Sequence, residues 1–266
     1  MGAAATLAYV DERTTVCGLA VRYLAGGSGD PVITLHHSTG SIGWLPLHDR
    51  LAEEFRVVVP DMPGYGQSER PEWARTPRDL AILVNAGLEQ LGLERVTLVG
   101  FGFGGFVAAE LATMDPSRVG RLVLVGAAGI KPRDGHGETM DMMLMDFVEY
   151  MEAGFRDQAA FHAMFGLEVE KDIKQLWDYS REMTARVSWK PYLFSRQLPH
   201  LLRAVRAPTL LIWGSEDRVI PIDAAYQYRD AVPDARLEVI AGAGHYVEYE
   251  EPETVGRLIV DHIRGA

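Results

Sequence analysis

The sequence predicts an α/β protein with a mostly parallel central sheet and an inserted helical segment. Three observations lead there. Short apolar, β-branched runs alternate with longer amphipathic ones, the signature of βαβ construction. The alternation stops between Lys131 and Arg206, where the chain turns helical, Met-rich and aromatic. The length of 266 residues and apolar content of 47% suffice for a sizeable buried core.

The strand-like runs fall at residues 32–35, 56–59, 96–99, 122–125, 209–213 and 237–240. Between them, residues 44–54, 77–91, 103–114, 222–231 and 252–263 read as amphipathic helices. Two earlier strands, at 7–10 and 16–24, would form an antiparallel edge. Cys17 lies in the second and reads as a small apolar filler there. Residues 1–130 and 207–266 thus form the core, and 131–206 an inserted cap, with Pro132 and Pro208 near its joints. Seven of the ten methionines fall in the cap (Met140, Met142, Met143, Met145, Met151, Met164 and Met183), alongside Trp177, Trp189, Tyr192 and Phe194. Such adaptable side chains suit an apolar ligand, and Met143 and Trp177 are the cap residues expected to line its pocket.

A formal charge of −11 with no Lys/Arg cluster argues against a nucleic-acid partner. No apolar run approaches the length of a membrane span, and the N-terminus lacks a basic start followed by an apolar stretch. A single cysteine excludes an intramolecular disulfide and fits a reducing compartment. These features describe a cytoplasmic protein acting on a small molecule, with a homodimer open. Cationic Arg181, Arg186, Lys190 and Arg196 in the cap read as a solvated face.

The most informative segment is Val96-Thr97-Leu98-Val99-Gly100-Phe101-Gly102-Phe103-Gly104-Gly105. It reads as a buried strand turning sharply into a helix, the setting of a G-x-S-x-G nucleophile elbow, with Gly102 where the serine would stand. Gly100 and Gly104 suit the close passage of strand and helix. Phe103 would present a backbone N–H at the helix N-terminus, where unpaired donors favour an anion. Phe101 and His37 are expected to border the same pocket. The Gly-rich spacing does not match a dinucleotide-binding turn.

Four segments resemble motifs of the α/β-hydrolase family, in the family's order. His36-His37-Ser38-Thr39-Gly40-Ser41 resembles its oxyanion loop, with His37 replacing a glycine. Pro60-Asp61-Met62-Pro63-Gly64-Tyr65-Gly66-Gln67-Ser68 is similar to its D-x-P-G-x-G-x-S turn. The segment from Ile212 to Pro221 resembles its acid loop, and Ala241-Gly242-Ala243-Gly244-His245 its histidine loop. The resemblance implies an α/β-hydrolase fold, with Gly102 at the nucleophile position, Asp217 as the acid and His245 as the base. It also implies an oxyanion hole from the N–H groups of Phe103 and Ser38. Asp61 reads as a turn residue and His36 as an anchor of its loop. Adjacent histidines at a strand end point to opposite sides, so no metal site is expected, nor any cofactor.

A glycine at position 102 excludes an acyl-enzyme there. The space vacated by a hydroxymethyl group could hold a water, from which His245 takes a proton while the two N–H groups hold an oxyanion. The reading is a cofactor-independent hydrolase of a medium-sized apolar carbonyl compound: an ester, a lactone or a C–C bond. Three alternatives stay open: a serine hydrolase whose serine was replaced, a lyase, decarboxylase or cyclase working by proton abstraction, and a ligand-binding protein without chemistry.

Overall fold

The structure is a computed structural model that describes residues 8–265. Among the described residues, eight strands form one sheet: β1 (Tyr9–Val16), β2 (Leu19–Gly26), β3 (Pro31–Leu35), β4 (Arg56–Pro60), β5 (Val96–Phe101), β6 (Val119–Val125), β7 (Thr209–Gly214) and β8 (Ala235–Ile240). Their order is β1-β2-β4-β3-β5-β6-β7-β8. The β1–β2 and β2–β4 pairs are antiparallel and the rest parallel, so the expected antiparallel edge is present. Leu7, expected in the first strand, lies outside the described residues.

The run at 16–24, expected as one strand, is divided. Cys17 and Gly18, at φ 50° and 85°, make the two-residue turn joining β1 to β2. Positive φ at both central positions matches the right-handed twist of the flanking strands. Cys17 is therefore exposed, not a core filler.

The helices are α1 (Pro46–Ala52), α2 (Pro77–Gln90), α3 (Phe103–Met114), α4 (Phe147–Gly154), α5 (Gln158–Phe165), α6 (Lys171–Ser188), α7 (Leu198–Leu201), α8 (Asp223–Ala231), α9 (Val247–Glu250) and α10 (Pro252–Arg264). Local chemistry sets their starts. Thr76 caps α2 in a reciprocal box with Asp79, and Asp146 does the same for α4 with Glu149. Pro77 and Pro252 occupy first helical positions.

Alternate residues of the parallel strands feed two cores. Leu98, Leu122 and Leu211 pack with α2, α3 and α8 on one face, and Val99, Val123 and Ile212 with α1 and α10 on the other. Helices α4, α5 and α6 all lie between β6 and β7. They reach the loops at the C-terminal ends of the strands, where the Thr184 hydroxyl donates to the Ser38 carbonyl at 3.1 Å. Ligands of open α/β sheets bind at those ends. Among the described residues, no helix is long and apolar enough to cross a membrane.

Candidate active site

Gly102 separates β5 from α3 with φ 49° and ψ −111°, a backbone that side chains other than hydrogen adopt only under strain. Its N–H donates to the Val125 carbonyl at 2.9 Å, and its carbonyl accepts from Ala128 at 3.0 Å. These bonds lock the turn onto β6. Gly104 is glycine for another reason: a Cβ there would meet the backbone carbonyls of Leu35 and His36. Phe103 is the first residue of α3, so its N–H lacks a carbonyl one turn back in the helix and stays available to an anion.

Asp217 and His245 lie in the loops after β7 and β8, as expected. His245 Nδ1 is 2.9 Å from Asp217 Oδ2, and both side chains are buried. The other oxygen, Oδ1, accepts from the N–H groups of Val219 and Ile220, each at 2.8 Å. With its partners saturated, the carboxylate holds Nδ1–H of the imidazole and leaves Nε2 as the basic nitrogen. That Nε2 lies 3.1 Å from the point a Cβ on residue 102 would occupy. Gly126, at the end of β6, leaves room for the pair, since a Cβ there would lie 3.1 Å from Nδ1 of His245.

Nδ1 of His37 borders the hollow expected beside Gly102 and narrows it. A Cβ on residue 102 would come closer than 3.0 Å to Nδ1 of His37, nearer than real Cβ atoms pack. Phe101 stacks on this ring at 5.9 Å, Tyr246 meets it edge-on at 4.7 Å, and His245 stands 5.0 Å away. Phe101 thus supports His37 from the α1/α10 face of the sheet. On its far side, His37 Nε2 is 2.7 Å from Oε1 of Glu248, a residue of α9 that is only 2% exposed. Burial pushes both groups toward their neutral forms, His37 well below 6.5 and Glu248 up to about 8. Among the described residues, Nδ1 of His37 and Oε2 of Glu248 are buried without a hydrogen-bond partner. Such an orphan costs roughly 1–3 kcal/mol.

Nothing in the sequence marks Glu248 as a functional residue. It lies 211 residues from His37, and its short helix carries no periodic pattern. The one available signal is that a histidine in place of a loop glycine must find a partner if buried.

His36 points the other way, as alternation requires. Its Nδ1–H donates to the His37 carbonyl at 2.8 Å and its Nε2 accepts from Met62 at 3.0 Å, tying the loop to the turn at residues 60–68. Burial holds it down to about 4. Asp61 is structural, accepting from Gln67 N–H at 2.9 Å and from Arg22 at 3.2 Å.

Tyr150, Met142, Met151, Met183 and Trp177 of the helical segment are all buried. Ser38 is buried beside the Tyr150 hydroxyl. Trp177 packs between Phe147 and Phe165 inside the segment. Met143, expected in the pocket, is instead 39% exposed. It sits in a turn where its N–H donates to Asp141 Oδ1 at 2.8 Å, which directs Met142 inward and Met143 outward. Of the four cap cations, Arg181 and Arg186 pair with Asp178 and Glu72, each at 2.9 Å.

The His245 loop is also fastened to this segment. His245 N–H donates to the Gly154 carbonyl at 2.7 Å, and Glu250 accepts from the N–H groups of Gly244, Arg156 and Asp157. Glu250→Ala removes the acceptor for three amides, and water can replace it only in part. The variant is expected to lose about 1–3 kcal/mol, measured by urea unfolding, and to lower kcat by loosening His245.

Residues 30–252 match the family model for the alpha/beta hydrolase fold. The chain is 30% identical to a 2-hydroxy-6-oxononadienedioate/2-hydroxy-6-oxononatrienedioate hydrolase from Burkholderia vietnamiensis, covering 98% of this chain and 96% of that protein. It is 28% identical to a 2-hydroxymuconate semialdehyde hydrolase from Pseudomonas sp. strain CF600, over 97% of this chain and 95% of that one. The fold matches that of 2-hydroxy-6-oxo-6-phenylhexa-2,4-dienoate hydrolase from Rhodococcus sp. strain RHA1 with a TM-score of 0.80, at 22% identity, 97% coverage of this chain and 100% of that one. With the sheet order, the elbow and the family match in agreement, this chain belongs to the α/β-hydrolase fold family.

Proposed function

We propose that the protein is a cofactor-independent hydrolase of a medium-sized apolar carbonyl compound, with the C–C bond of a 2-hydroxy-6-oxo-dienoate favoured by the names of its relatives. The observation that carries this reading is the buried His245–Asp217 pair, whose Nε2 faces Gly102 at the N-terminus of α3. An imidazole backed by a carboxylate can take a proton from water, and the N–H groups of Phe103 and Ser38 are the donors for the oxyanion. Residues 131–206 act as the cap that covers the substrate, and 1–130 with 207–266 as the catalytic core. The packing of His37 against Gly102 supports glycine as the working residue and speaks against a replaced serine.

Replacing His245 by alanine tests the reading. With 2-hydroxy-6-oxo-6-phenylhexa-2,4-dienoate as probe, loss of the base is expected to lower kcat by about 10²–10⁴-fold. Turnover within threefold of the unaltered protein would remove His245 from the scheme. In oxygen-18 water, label in the carboxylate product supports hydrolysis, and unlabelled product supports the lyase alternative.

A further inference from the structure

We propose that the His37–Glu248 pair takes the place of the absent serine: Nδ1 of His37 holds the attacking water at Gly102 while His245 removes its proton. The inference rests on the hydrolase reading above and adds a second histidine–carboxylate pair to it.

Four observations support it. First, Nδ1 of His37 crowds the point that a Cβ on residue 102 would occupy, and Nε2 of His245 lies 3.1 Å from the same point. The two nitrogens therefore lie within the span that one bridging water oxygen covers. Second, Nδ1 of His37 is buried and unpartnered, although His37 is only 2% exposed. A histidine kept merely as filler would be replaced more favourably by an apolar residue of like size. Third, the ring is clamped by Phe101 and Tyr246 and fixed through Nε2 by Glu248, so Nδ1 has one direction in which to point. Fourth, Glu248 Oε2 has no partner, which suits a neutral carboxyl better than a buried charge.

In the step, a lone pair of the water oxygen forms the C–O bond and its proton passes to Nε2 of His245. The carbonyl π pair moves onto oxygen, beside the N–H groups of Phe103 and Ser38. Collapse restores the carbonyl and breaks the bond to the leaving group, which takes the proton from His245. His37 forms no covalent bond and keeps its own proton throughout.

The pair's protonation gives the proposal a signature. At neutral pH the Glu248 carboxyl donates to Nε2 of His37, which leaves hydrogen on Nδ1 as the donor to the water. Burial places the ionisation of Glu248 at about 8. Above that pH the remaining proton moves to Nε2, Nδ1 becomes an acceptor, and the water loses the donor that orients it. The groups facing the pair are His245 and Asp217 from the loops after β8 and β7 and Tyr246 and Tyr249 at α9, while His36 neighbours it in the loop but turns away. His48 of α1 faces it across a cavity of about 20 Å³ that both members border. Burial holds His36 at about 4 and His48 at about 3, and raises both tyrosines far above 10. None of these four changes charge near pH 8.

The test is the pH dependence of kcat for the unaltered protein, His37→Phe, Glu248→Gln and His245→Ala on the same dienoate, with circular dichroism as the folding check. Activity of the unaltered protein is expected to fall above about pH 8. In Glu248→Gln the amide N–H still donates to Nε2 at every pH, so the residual activity is expected to lose that alkaline fall. His37→Phe fills the space without a donor and is expected to lower kcat by about 10²-fold, the effect of removing one such donor, with KM changed less than threefold. A folded His37→Phe with kcat near that of the unaltered protein, a loss confined to KM, or an unchanged alkaline limb in Glu248→Gln would each overturn the proposal. If His37→Phe fails to fold, the Glu248→Gln profile decides alone. An inactive His245→Ala beside an active His37→Phe rejects this inference only, whereas an active His245→Ala rejects the hydrolase reading itself.

Discussion

Gly102→Ser is expected to reduce activity, not to create a serine hydrolase. The new Cβ would overlap Nδ1 of His37, and the two side chains cannot occupy their places together. Overpacking of this kind costs about 1–3 kcal/mol, added to the strain of a Cβ at φ 49°. The serine is then either pushed off the line to His245 or forces His37 away from Glu248. Labelling by a serine-directed phosphonate is expected to be slow or absent. In the double variant Gly102→Ser with His37→Gly, the space is free again, and the hydroxyl lies beneath an intact His245–Asp217 pair. That variant is expected to label stoichiometrically, read as one phosphonyl adduct by intact-protein mass spectrometry. Efficient labelling of the single variant would show that His37 does not hold this volume.

Asp217→Asn is expected to lower kcat by about 10³–10⁴-fold while leaving the fold intact. The Asn carbonyl can still accept from Val219 and Ile220, as Oδ1 of the aspartate does. Its amide then faces Nδ1 of His245 and donates to it, which reverses the tautomer and places hydrogen on Nε2. An imidazole in that state cannot take a proton from water at Gly102. Serine proteases that undergo the same aspartate-to-asparagine exchange lose activity for this reason, with their geometry preserved. Thermal unfolding within a few degrees of the unaltered protein, together with the lost turnover, separates chemistry from folding. Full activity in Asp217→Asn would mean that another group orients His245.

The parts of this molecule that follow from local chemistry are legible in its sequence. The parallel strands announce themselves as short β-branched runs, and Gly102, Asp217 and His245 stand in segments whose order and spacing match one family. The opposite facing of His36 and His37 follows from the alternation of a strand. What escapes are features set by chain-distant packing or by a single turn. Cys17 looks like a strand residue until Gly18 beside it is recognised as the other half of a hairpin turn. Met142 and Met143 are the same residue type side by side, and only the Asp141 turn decides which is buried. The pairing of His37 with Glu248 joins the first loop of the parallel sheet to the penultimate helix, and no periodicity reports it. The absence of a serine is readable, but the ring that borders its place depends on a rotamer.

Rapid-quench mass analysis of one turnover in oxygen-18 water separates attack by water from a covalent route. If water beside Gly102 is the attacking group, the carboxylate product carries one heavy oxygen. The protein mass is then expected to remain that of the free chain at every time point. A transient acyl adduct, on His37 or any other residue, or a product without label, would contradict direct attack by a water held between two histidines.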